Sequence, residues 1–298
     1  MLSFALSRKG SEHGIMLLTK GLGSLRIRNK ELRFGSQTFI MGIVNVTPDS
    51  FSGDGLLDAD LAVALALRQV ADGAQIIDIG GQSTRPDHVP IEEETENERI
   101  LPVISALRRV SDVIISVDTF SANVAEQALK AGADMINSIW GLNGQLLELV
   151  RRLKAPTVIM HNKNEASYRD GVISEVADKL RQQAESAMAA GLQREQVLLD
   201  PGIGFGKTAE QNLEVLKYLE QIVALGFPTL IGTSRKSTIG KLTDRSVEER
   251  DFGTAASVAL AIAAKVDIVR VHDVRAISDA VKVSDAIVRG WRPDNWQV

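Results

Sequence analysis

Apolar residues in this chain come in short, unbroken runs, each ending in polar residues and each followed by a longer amphipathic or Ala-rich stretch. The runs are FIMGIVNV, QIIDIGG, VIISVDT, DMINSI, PTVIMHN, QVLLDPG, PTLIGTS and DIVRVHD, eight in all. An Ile/Val/Leu run without alternation suits a strand buried on both faces, as in a parallel sheet covered by helices. The segments between them, such as LDADLAVALALRQVADG and VISEVADKLRQQAESAMAAG, read as helices. Several stop at Gly73, Gly132, Gly191, Gly226 or Gly290, glycine being best suited to a left-handed helix end. Eight βα units predict an α/β fold, a closed (β/α)8 TIM barrel; a doubly wound open sheet with a small extra domain is the alternative. Ahead of them, SLRIR and ELRF alternate with period two around Asn29-Lys30, which predicts a short N-terminal β-hairpin. Residues 1–23 read as a loose tail and 24–298 as one domain.

Composition narrows the picture. The 298 residues carry a formal net charge of −4 with no Lys/Arg stripe, so nucleic acid is not an expected partner. There is no cysteine, which removes thiol catalysis, disulfides and Cys-based zinc sites. The longest uncharged apolar stretch, Phe252 to Ala264, is too short to span a bilayer. The expectation is a cytoplasmic protein with no membrane partner.

Ligands of such a barrel bind at the C-terminal strand ends, and each run exits into polar residues. One group is made of short acceptors: Asp118, Asn137 and Asp200. A carboxylate at the tip of a buried strand needs donors, and this set suits a ligand rich in N–H groups, for example an aminopyrimidine ring. The competing explanation for Asp118 and Asp200 is capping of the next helix. The other group is cationic: Arg85, Arg235, Lys236, Arg270 and His272. Arg270 interrupts an apolar strand and stands two residues from His272, a pairing that suits phosphate or pyrophosphate. A surface salt bridge would account for Arg235 alone. DPGIGFGK (200–207) lacks phosphate-loop spacing, so its glycines read as letting backbone and Phe205 approach a flat ligand. His161 has no metal-site motif around it and reads as a packed, hydrogen-bonded histidine.

From residue 39 onward, MGIVNVTPDSFSGDG, DIGGQSTRP, ISVDTF, INSIWG, LDPGIGFGKT, GTSRKS and RVHDV follow one another in an order that closely resembles the dihydropteroate synthase family of the folate pathway. The resemblance implies condensation of 6-hydroxymethyl-7,8-dihydropterin pyrophosphate with p-aminobenzoate, giving 7,8-dihydropteroate and pyrophosphate by a Mg²⁺-assisted, SN1-like route. It implies that Asp118, Asn137 and Asp200 hold the pterin edge, that Lys236 contacts the pterin ring, and that Arg270 stacks on it. Arg270 and His272 would bind pyrophosphate, with Thr84 and Arg85 from a second loop. Asn45 would be the protein's ligand to Mg²⁺. Thr47, Pro48 and Phe51 would shape the aminobenzoate site with Lys236 and Ser237. Asn45, Arg85, Lys236, Arg270 and His272 form the expected catalytic set. A homodimer is implied as well, with TAASVALAIAA (254–264), apolar nearly all round, as a candidate interface.

The chain departs from the family wording in three places. Gln82 stands where Glu is usual, SGDG replaces SDGG, and NKNEASYRDG follows His161. An inactive or repurposed pterin- or phosphate-binding paralogue is one alternative. A pterin-dependent methyltransferase is another, although it has no need of cations for a leaving pyrophosphate. An aldolase using Lys236 as a Schiff base leaves the first loop unexplained.

Overall fold

In the computed structural model, residues 22–47, 55–82 and 91–296 are described. Two antiparallel strands, β1 (Ser24–Ile27) and β2 (Lys30–Arg33), precede eight parallel ones: β3 (Phe39–Asn45), β4 (Ile76–Gly80), β5 (Ile114–Asp118), β6 (Met135–Ser138), β7 (Thr157–Met160), β8 (Val197–Asp200), β9 (Leu230–Ile231) and β10 (Ile268–Val271). The order β8-β7-β6-β5-β4-β3-β10-β9 forms a nearly closed barrel, as the eight runs predict. The remaining seam is narrow. Leu199 N donates to the Pro228 carbonyl at 2.8 Å, and Leu199 pairs with Thr229 across it.

Each strand splits its side chains between two apolar clusters, as a period of two requires. Outward residues, including Ile77, Ile79, Val117, Ile136, Ile159, Leu199 and Val269, pack beneath the helices. Inward residues Met41, Ile76, Ile114, Met135, Val158, Leu198, Leu230 and Ile268 form a floor inside the barrel. The hairpin seals that floor from below with Leu25, Ile27, Leu32 and Phe34; Phe34 meets Phe39 edge to face at 6.2 Å. Its two-residue turn is Arg28-Asn29, one residue earlier than the sequence pattern suggests. Leu22 packs on this cluster, and the Gly23 carbonyl accepts the Phe34 amide.

The helices that matter below are α1 (Gly55–Ala71), α2 (Glu93–Val110), α3 (Ala122–Ala131), α4 (Gly144–Leu153), α5 (Val172–Ala189), α6 (Ala209–Lys217), α7 (Glu220–Val223), α8 (Ser237–Thr243), α9 (Asp251–Ala263) and α10 (Val274–Val288). The stretch after β8 thus folds as two helices, α6 and α7, where the sequence pattern reads as one. Among the described residues no helix is long and apolar enough to cross a membrane.

Candidate active site at the barrel mouth

Following the inward positions two residues up from the floor turns the lumen from apolar to polar. Asp78 stands above Ile76, Ser116 above Ile114, Asn137 above Met135, Asp200 above Leu198 and Arg270 above Ile268, with Asp118 one step higher on β5. All but Arg270 are buried. Arg270 reaches across the barrel to the acids. Its Nε donates to Asp78 Oδ2 at 2.6 Å and its Nη2 to Asp118 Oδ2 at 2.8 Å. Asn137 Nδ2 donates to the same Asp78 oxygen at 2.9 Å. Asp78 Oδ1, Ser116 Oγ and Asp118 Oδ1 are buried with no hydrogen-bond partner among the described residues. Of the cationic group, Arg270 therefore joins the acceptors in one cluster.

Burial sets the electrostatics. It raises the Asp118 carboxyl to about 7, with Arg270 opposing and Asp78 reinforcing the rise. Burial likewise raises Asp200, against the Gly202 amide that its Oδ1 accepts at 2.7 Å. Lys236 is lowered to about 8, by burial first and Arg270 second. Helix capping explains neither acid: Ser121 caps α3 and Thr208 caps α6.

The glycine loop after β8 is built for close approach. Gly202 has φ 70°, and a Cβ there would lie 2.0 Å from the His161 carbonyl oxygen, so only glycine fits. Phe205 is half-buried, with the Lys236 ammonium 4.1 Å from its ring centre. Lys207 holds the loop from within. Its Nζ donates to the Gly202 and Phe205 carbonyls, both at 3.0 Å, and lies 3.1 Å from His161 Nδ1. Burial lowers Lys207 to about 7, with the Asp200 charge opposing. His161 is buried and hydrogen-bonded, and burial with the Lys207 charge lowers it to about 3. Tyr168, from the stretch that departs from the family wording, donates its hydroxyl to the Gly206 carbonyl at 2.8 Å.

A cleft of about 480 Å³ opens beside β3 and β10, lined by Asn45, Arg68, Gln69, Arg235, His272 and Arg275 among others. His272 is held at Ser234 Oγ through its backbone amide, at 3.1 Å, and its Nδ1, at 3.0 Å. Gln69 Nε2 donates to the carbonyls of Ile43 (3.0 Å) and His272 (3.3 Å), lashing α1 to both strand ends. Gly42 makes room: a Cβ there would lie 2.1 Å from Gln69 Oε1. Arg235, on the wall of this cleft, is held in a bidentate pair with Asp251, both contacts at 3.1 Å, as the salt-bridge explanation requires. Ser237 opens α8, exposed, and Thr47 follows β3. Pro48, Phe51, Thr84 and Arg85 lie outside the described residues. A larger groove of about 700 Å³ between α5 and α7, with Met188, Arg194 and Phe227 in its wall, holds none of the predicted residues.

Sequence reasoning missed Asp78, Gln69 and Lys207. Asp78 carried the same signal as Arg270, a charge interrupting an apolar strand. Gln69 sits in a helix with nothing to mark it.

The profile of the family described as pterin binding enzyme matches residues 41–272. A dihydropteroate synthase of Clostridium beijerinckii is 44% identical over 269 residues, spanning 89% of this chain and 100% of that one. The chain belongs to the dihydropteroate synthase family. Two solved dihydropteroate synthases share its architecture. That of Clostridium difficile, in the presence of pteroic acid, aligns with a TM-score of 0.84 at 45% identity, covering 86% of this chain and 98% of its own. That of Xanthomonas albilineans, with 4-aminobenzoic acid, aligns with a TM-score of 0.84 at 40% identity, covering 89% and 97%. Motifs quoted above for dihydropteroate synthases fall at the ends of β3, β4, β5, β6, β8, β9 and β10.

Proposed function

We propose that this chain catalyses the dihydropteroate synthase reaction of folate biosynthesis. The observation that carries the reading is the buried acceptor set of Asp118, Asn137 and Asp200, with Arg270 already joined to it, at the mouth of a barrel matching this family along its length. A pterin ring edge is an array of N–H donors, and such acceptors fit it. Phe205 and Lys236 offer a face for the flat ring, and Arg270 stacks on it once the ring is bound. His272, beside Asn45, receives pyrophosphate oxygens with Thr84 and Arg85. Thr47, Pro48, Phe51, Lys236 and Ser237 shape the aminobenzoate site.

In the reaction the methylene C–O bond breaks, its electron pair leaving with pyrophosphate. The arylamine nitrogen then forms the C–N bond and loses a proton. Positive charge from Arg270 and a hydrogen bond from His272 favour departure, and the electron-rich dihydropterin supports the methylene cation. No strong general base is required.

Among the described residues no group of three or more His, Asp or Glu could hold a metal ion. Mg²⁺ does not need such a cage, since it is commonly held by one protein oxygen, substrate phosphates and water. The Asn45 side-chain oxygen, on the cleft wall, fits that role. Bound there, Mg²⁺ would neutralise charge on the leaving pyrophosphate. A cytoplasmic location belongs to the same reading and accords with a chain free of cysteine. So does a single barrel domain from residue 24 onward, and a homodimer is argued below.

The test is incubation with pterin pyrophosphate, p-aminobenzoate and Mg²⁺. Pyrophosphate release that depends on the arylamine is expected. Binding without release would point to the repurposed paralogue.

A further inference from the structure

Asp78 is 0% exposed in the middle of β4, flanked by Ile76, Ile77 and Ile79. An acid there bears a heavy desolvation penalty, and the strand itself has no use for one. Its Oδ2 takes two donors at once, Arg270 Nε at 2.6 Å and Asn137 Nδ2 at 2.9 Å. An ionised carboxylate only accepts, so just the NH2 end of the Asn137 amide can face it. The carbonyl end is therefore turned the other way. An Asn without that neighbour could present either end, and the NH2 end would oppose a ligand's N–H groups.

We infer that Asp78 is a positioning residue for the pterin site: it makes Asn137 an obligatory acceptor and pins the root of the Arg270 guanidinium, so that Nη2 is the part that deals with Asp118. The inference rests on the proposed function. Asp78 acts through Asn137 on β6 and Arg270 on β10, and its charge also bears on Asp118 of β5, which Glu96 of α2 and Lys236 influence as well. Removing the Asp78 charge takes away a repulsion that opposes ionisation of Asp118, which therefore ionises at lower pH.

Calorimetric titration with dihydropterin pyrophosphate from pH 6 to 8.5 tests this, with thermal melts to establish folding. Asp78→Asn should weaken pterin binding about tenfold or more, the scale for losing a charged hydrogen bond. The p-aminobenzoate KM should stay within about threefold, and the pH midpoint of pterin binding should move to lower pH. Asn137→Asp supplies the second variant. Its new carboxyl can satisfy Asp78 only when protonated, so its pterin affinity should recover as pH falls, the reverse of the wild-type trend. Wild-type protein that binds no pterin sinks the functional reading and this inference together. Wild-type protein that binds, with Asp78→Asn matching it in affinity and midpoint or Asn137→Asp following the wild-type pH trend, overturns the inference alone.

Discussion

Arg270 carries two burdens that a single substitution separates. It neutralises Asp78 and Asp118, and in the proposed reaction its charge favours departure of pyrophosphate. Arg270→Ala should cost roughly 3 kcal/mol of stability by leaving two buried acids without their partner. Turnover should fall by about 10²-fold or more, beyond what stability explains. Urea melts and pyrophosphate release read the two effects independently; undiminished release would remove the anion site from the account. The residue was legible because a charge inside an apolar strand requires a reason. Asp78 escaped for a reason of position: polar residues were sought at strand tips, and it lies below the tip formed by Gly80. The bonds of Gln69 to the carbonyls of Ile43 and His272 depend on where distant strands meet, and those of Lys207 on how the glycine loop curls back over it, neither of which the pattern of apolar runs encodes.

At the level of elements, the loop from Gly202 to Gly206 is tied together from within by one ammonium. Lys207→Met would orphan the Phe205 carbonyl and leave that of Gly202 only the Phe205 amide, and should cost about 1–3 kcal/mol at pH 7. The folded-state value for this lysine, about 7, lies below its ordinary 10.5. Between those limits the unfolded chain binds more protons than the folded one, so this group makes stability rise with pH across the window. Urea unfolding from pH 7 to 10 should show a shallower rise for Lys207→Met than for wild type; parallel curves would remove the linkage. The hairpin offers a packing test. Phe34→Ala should cost about 3–5 kcal/mol, since its ring seals the floor against Phe39. A loss below about 1 kcal/mol in chemical denaturation would mean that the hairpin is dispensable. The runs of apolar residues disclosed every barrel strand because burial on both faces leaves a plain signature. The turn of the hairpin slipped by one residue because Arg28, with φ 54°, occupies a left-handed position that composition does not advertise.

For the molecule as a whole, one outer side is unusually apolar. Phe252 and Leu260 on α9 are 93% and 72% exposed, and Ile287 on α10 is 80% exposed. These large exposed apolar side chains on two helices packed against each other support the proposed homodimer, since exposed apolar surface marks interaction sites. Leu260→Lys together with Ile287→Lys should shift the mass seen by light scattering at micromolar concentration from dimer to monomer. A wild-type monomer would refute the interface. The barrel was readable from the number and spacing of its runs; the proposed partnering face is marked in the sequence only by an excess of apolar residues in one helix.

The plug beneath the barrel floor has a kinetic corollary. A vessel stopped at its base has one doorway, and whatever sits deepest must enter first. On the proposed function, the heterocycle seated against Asp118, Asn137 and Asp200 would have to arrive before the arylamine that closes the corridor behind it.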